Sequence, residues 1–142
     1  MAKTYTDLKA AMLAVHQGIT GIVRAFDNPP PKVDTAQVPA IFPILRTFDT
    51  AYDTMDGCRM LYRFEILVVG DPVGQGLDQD ARLSELEPFV ESVRTAYAAA
   101  ITLSGTCEQC ALTGGSLEIR AGHATLIYNL EVEQKPTVTV SG

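Results

Sequence analysis

Cys107-Glu-Gln-Cys110 sets two thiols three residues apart, and His123 follows with twelve residues between it and Cys110. Two thiolates and an imidazole so spaced supply three of the four ligands of a Cys2His2 zinc site. Ile127, Tyr128 and Asn129 stand where the second histidine would fall. A structural zinc site closes with four ligands, so the expectation is no bound metal, with Cys107, Cys110 and His123 as the trio to test in a loop between a helix and a hairpin. A thioredoxin-type role would require the Cys-x-x-Cys pair to open a helix after a strand, and the surrounding pattern does not do so.

The other candidates are thinner. Asp49, Asp53 and Asp56 lack the alternate-residue spacing and terminal glutamate of a calcium loop, and read as a solvated loop tip. Gly70 and Gly74-Gln75-Gly76 sit after an apolar run and before a helical pattern, as a phosphate loop would, but no Lys-Ser or Lys-Thr pair follows and the neighbours are acidic. Ser116 after Gly114-Gly115 is not a nucleophile elbow, and His16 and His123 fall on different elements. Glu131 and Glu133 share a strand face, as paired carboxylates must, yet that face of a hairpin is more simply the solvated one. The expectation is a protein with no cofactor and no catalytic site.

The elements that would position these residues follow from periodicity. Thr4 and Asp7 have capping-box spacing, and Leu8, Met12, Val15 and Ile19 recur at helical intervals until Gly18 and Gly21, predicting a helix over 5–17. A short strand is expected over Ile22 to Phe26, and an extended run from Val38 to Phe48. After the turn signal Asp56-Gly57 comes the strongest strand, Cys58 to Val69. Cys58, Met60, Tyr62, Phe64, Ile66 and Val68 point one way and Arg59, Leu61, Arg63 and Glu65 the other, until Leu67 and Val69 make both faces apolar. Leu83, Leu86, Val90, Val93, Tyr97 and Ala100 predict a long helix over roughly 80–103, kinked at Pro88 or restarting with Pro88 in its first turn. Ser116 to Arg120 and His123 to Glu133 alternate about Ala121-Gly122 as a closing hairpin, with Ala124, Leu126, Tyr128, Leu130 and Val132 inward. The order predicts an α+β fold whose largely antiparallel sheet is covered on one face by the N-terminal helix and the long helix.

Five of the eight prolines fall between Arg24 and Pro43. Each fixes φ and removes a backbone donor, so the segment is neither helix nor central strand throughout, and residues 28–37 read as a stiff, extended, exposed arm. The chain of 142 residues reads as one domain, with 135–142 as a flexible or partner-bound tail. It carries no run approaching the roughly 18 apolar residues of a membrane span, and its first twenty residues are unlike a secretory signal, so a soluble protein of cytoplasmic origin is expected. Three cysteines, an odd number, read as free thiols in a reducing compartment. The net charge is −6, and residues 49–91 hold ten acids against three arginines, a sign that repels the phosphates of nucleic acid.

Gly21-Ile-Val-Arg-Ala-Phe-Asp-Asn-Pro-Pro-Pro31, Val38-Pro-Ala-Ile-Phe-Pro43, Tyr62-Arg-Phe-Glu-Ile-Leu-Val-Val69 and Leu86-Glu-Pro-Phe-Val90 together resemble the small tail-terminator or tail-completion proteins of long-tailed bacteriophages. The likeness covers most of the chain in length and element order. It implies a virion protein, assembled in the host cytoplasm, that forms a homo-oligomeric ring, typically of six copies. The ring would cap the tail tube, stop its polymerisation and dock the head-side connector, with DNA passing through its lumen without specific binding. No catalytic residues carry over. A head-completion or neck ring protein is the neighbouring alternative; a small-molecule-binding domain with its pocket between long helix and sheet, or a zinc-stabilised module, is the alternative from another class. Phe26, Asn28, Pro29, Pro30, Pro31 and Phe42 are the expected subunit contact, because a stiff arm presents its groups at low ordering cost. Asp49, Asp53 and Asp56 are the expected lumen-facing acids.

Overall fold

The computed structural model of the chain describes residues 5–30, 35–53, 57–73, 78–103, 107 and 109–134. Helix α1 (Tyr5–Gln17) is followed by strand β1 (Arg24–Ala25), a 3-10 turn (Thr35–Gln37), and strands β2 (Ala40–Asp53) and β3 (Gly57–Pro72). Helices α2 (Asp78–Ser84) and α3 (Glu87–Ala98) then lead to strands β4 (Gln109–Arg120) and β5 (His123–Gln134). The five strands form one sheet in the order β1-β2-β3-β5-β4. Only the β1–β2 pair is parallel; β2–β3, β3–β5 and β4–β5 are antiparallel. The fold is α+β with a mostly antiparallel sheet, as the element order predicts.

Period-two alternation sends every second residue of each strand to the same face. On one face Ile41, Phe64, Ile66, Val68, Ala124, Leu126, Tyr128, Leu130 and Val132 are buried. Leu8 and Met12 of α1 and Phe89, Val93 and Tyr97 of α3 close over them. The space between helices and sheet, expected as a candidate ligand pocket, is occupied by these side chains. Tyr128 extends through this layer, its hydroxyl donating to the Val90 carbonyl at 2.6 Å.

The expected long helix breaks where proline cannot continue it. Pro88 lies in the first turn of α3, where its missing N–H costs nothing, and Leu86 between the two helices is 2% exposed. The β4–β5 turn has Ala121 at φ 51° and Gly122 at φ 79°, the two positive values a tight right-twisted hairpin demands. Two expectations are corrected at the chain's start. The strand expected over Ile22 to Phe26 is only the Arg24–Ala25 pair, because the parallel pairing with β2 is limited to Ala40 and Ile41. The run expected to stop at Phe48 continues to Asp53, since β3 stays in register with it to Gly57.

Three irregularities interrupt the ladders. β2 gains a residue between Leu45 and Thr47 relative to β3, β4 gains one between Leu112 and Gly114 relative to β5, and β3 gains one between Val69 and Pro72 relative to β5. Such bulges reverse which residues share a face, so Leu45 and Phe48 lie on the same side of the sheet despite odd spacing.

Candidate functional site

The sheet face opposite the helices holds the features that internal packing leaves unexplained. At one end Phe42, Leu67, Val69 and Ile127 form a second buried cluster, with Phe26 and Val38 from the segment around the proline arm and Ile44 from β2 packed against it. A cavity of about 560 Å³ opens beside it, lined by Pro29, Phe42, Leu67 and Val69 and rimmed by Arg46, Arg120 and His123. The pattern was visible locally: β3 becomes apolar on both faces at Leu67 and Val69, and these are the residues that carry the second cluster.

Away from that end the face is charged. Glu65, 19% exposed at its side chain, accepts from Arg46 through Nε at 2.8 Å and Nη2 at 2.5 Å, and from Arg120 at 3.3 Å. Arg120 also donates to Glu118 at 3.1 Å. Partial burial alone would raise the Glu65 carboxyl, but the hydrogen bonds from Arg46 and Arg120 outweigh it and hold the carboxyl below its ordinary range. Further along, Arg63 pairs with Asp49 and lies 3.6 Å from Glu131. Gln109 donates to Glu133 at 3.2 Å. Three arginines thus meet four acids on this face among the described residues, and Gln109 meets a fifth. Arg46, Glu65 and Arg120 were not candidates from sequence; the only signal was the polar side of the β3 alternation, and their meeting depends on pairings 19 and 55 residues apart.

The expected contact residues divide. Phe26 is half-buried in the second cluster with the Arg24 guanidinium 5.3 Å from its ring centre. Asn28 is exposed and accepts from Lys9 Nζ at 2.7 Å, Pro29 is exposed at the cavity wall, and Pro30 is half-buried. Pro31 lies outside the described residues. Phe42 corrects the expectation of an exposed contact: only 7% of it is accessible, because strands distant in sequence bring Leu67, Val69 and Ile127 around it. Of the expected lumen acids, Asp49 is exposed but paired with Arg63. Asp53 ends β2 and its side chain is not described, and Asp56 lies outside the described residues, as do the Gly74-Gln75-Gly76 loop and the 135–142 tail.

The zinc trio is pulled apart by the hairpin. Cys110 pairs with Val132 at one end of β4–β5, while His123 pairs with Arg120 at the other. Ten residues of strand between Cys110 and Arg120 separate them by roughly 33 Å. His123 instead donates its Nδ1 proton to the Gly70 carbonyl at 3.0 Å. Among the described residues, no three His, Cys, Asp or Glu side chains converge as a metal site.

His16, the other histidine, is wholly buried between α1 and α3 with Nε2 2.5 Å from the Tyr97 hydroxyl and Nδ1 lacking a partner. Desolvation lowers its pKa to about 3, so the imidazole is neutral, and burial drives the Tyr97 hydroxyl well above its ordinary value. Two neutral groups sealed in the core suit packing, not proton transfer to a substrate. Among the described residues no helix is long and apolar enough to cross a membrane. No protein-family model matches the chain, and no curated protein matches it significantly.

Proposed function

We propose that the chain is a structural virion protein that forms a ring, most simply of six copies, capping a phage tail tube, ending its polymerisation and offering the surface to which the head-side connector docks. The observation that carries this reading is the two-sidedness of the sheet. One face is sealed by the chain's own helices, while the other is a broad, mainly charged surface with an apolar hollow beside the proline arm. Such a subunit can turn one side inward to a lumen and join its neighbours at the other features without refolding. An excess of acid on the open face suits a passage through which DNA slides without adhering, with Asp49, Asp53 and Asp56 on the luminal side. Phe26, Asn28, Pro29, Pro30 and Pro31 supply the stiff contact between subunits, with Phe42 as the floor on which the arm rests.

Disrupting the gene in its phage tests the assignment by electron microscopy. Tails of uneven, excessive length without heads are the expected result. Tails of normal length that fail to join filled heads would move the protein to the neck, and intact virions would overturn the structural role. Deleting residues 28–34 is expected to leave a folded monomer that no longer assembles or docks, read by sedimentation and microscopy; normal assembly would reduce the arm to a loop.

A small-molecule-binding role is the competing reading, favoured by the hollow at Phe42, Leu67 and Val69. It predicts a monomer whose thermal midpoint rises with an amphiphilic ligand and falls back when Phe42 is replaced by a polar residue.

A further inference from the structure

Backbone hydrogen bonds hold two cysteines beside the turn that follows α3. After α3 the chain turns through Ala100–Leu103, with Leu103 fully buried and donating its N–H to the Ala100 carbonyl at 3.0 Å. Cys107 N–H then donates to the Thr102 carbonyl at 3.2 Å, and Cys110 N–H to the Ile101 carbonyl at 2.8 Å. These bonds fix the backbone of both cysteines against one short stretch. Their thiols aim at adjacent carbonyls, Cys110 Sγ at Ala100 O (3.4 Å) and Cys107 Sγ at Ile101 O (3.7 Å). The neighbouring Cys107 thiol and burial push the Cys110 thiol up from its ordinary range. Both are free thiols.

From this geometry we infer that Cys107 and Cys110 form a preorganised dithiol, a covalent modification site that closes to an intramolecular disulfide when the folded protein meets a disulfide oxidant such as glutathione disulfide. Cys107 is half-exposed and Cys110 is 6% exposed, which sets the order of events. The Cys107 thiolate attacks one sulfur of glutathione disulfide, forming a mixed disulfide and expelling one glutathione thiolate. Cys110 then loses its proton and attacks the Cys107 sulfur, closing the protein disulfide and expelling the second glutathione. Two protein thiols are oxidised, one glutathione disulfide is reduced to two glutathione molecules, and the two protons pass to the expelled thiolates. The bond ties the turn after α3 to the first residues of β4 while the backbone hydrogen bonds that placed the sulfurs stay in place. The inference does not depend on the ring assignment.

Its test uses the full chain with all three cysteines, equilibrated in glutathione buffers of increasing oxidised fraction, acid-quenched, alkylated and mapped by mass spectrometry. Cys107 and Cys110 are expected to leave the alkylated pool together and appear in one cross-linked peptide, with Cys58 still alkylated. The midpoint should require at least about tenfold less glutathione disulfide in native buffer than in concentrated urea, because the fold raises the effective concentration of one thiol at the other. Equal midpoints in the two conditions, persistent free thiols at excess oxidant, or a mixed disulfide at Cys107 that never resolves would each overturn it. Cys110→Ser should halt the reaction at that mixed disulfide; no glutathione adduct on Cys107 in the folded variant would overturn the order of attack.

Discussion

The two faces of the sheet use alternate residues of the same strands and solve opposite problems. Beneath the helices Phe64, Ile66, Val68, Leu130 and Val132 are 2% exposed or less, and the buried imidazole on that side, His16, is held neutral. Charge on that side has no water and no counter-ion, so it is suppressed. On the open face Glu65 keeps its charge because two arginines bond to it, and the apolar cluster closes only at the end where Phe26 and Val38 reach it. Neutralisation on one side and pairing on the other are the two ways a carboxylate or imidazole survives partial or full loss of water.

Lowering the pH is the strongest way to break the closed side. The folded-state pKa of His16 lies below the unfolded value, near 6.5, so its neutral form stabilises the fold fully above pH 6.5. That stability is lost as pH falls toward 3, where only the unfolded chain has taken up the proton, a loss on the order of 4–5 kcal/mol. His16→Leu should flatten the urea-denaturation stability profile over this window relative to the parent; parallel profiles would show that His16 is not the neutral group described. Next in size, Phe64→Ala should cost about 3–5 kcal/mol, and Phe42→Ala about 2 kcal/mol, because water can reach the vacated space through the neighbouring hollow. Equal losses in urea midpoints would erase the distinction between the faces. Glu65→Gln should cost about 1 kcal/mol and weaken the dependence of thermal midpoint on salt, since two arginines lose the negative charge of their shared acceptor. Smallest of all, Asp49→Asn should leave the midpoint unchanged within error, because both members of the Asp49–Arg63 pair are solvated.

Local patterns made much of the closed side legible. The alternation from Met60 to Val68 identified the core face of β3, the spacing of Leu8 and Met12 identified the buried side of α1, and Ala124 to Val132 marked the inner face of β5. Pro88 announced an interruption whose form depended on how Leu86 packs. The open face was harder because it is made by register. Arg46, Glu65 and Arg120 occupy three strands, and nothing near any one of them in sequence names the others. Phe42 sits between prolines and looked exposed, yet its burial comes from β3 and β5. Cys107, Cys110 and His123 show the converse failure: a linear spacing that fits a metal site is stretched straight by a hairpin.

Two of the three ladder irregularities stand opposite each other, while the third, in β3 between Val69 and Pro72, lies toward the β4–β5 turn. Leu45 pairs with Phe64, Phe64 with Leu130 and Leu130 with Leu112, so a single row crosses the sheet, and the extra residues lie beside its two ends. At this level β1 is no longer paired to β2, so both lengthened strands are margins and both inner strands are shorter. Along this row, margins longer than the midline favour a saddle, curved one way along the strands and the other way across them. Moving both extra residues inward, to β3 and β5, would reverse the mismatch along this row and favour a dome instead.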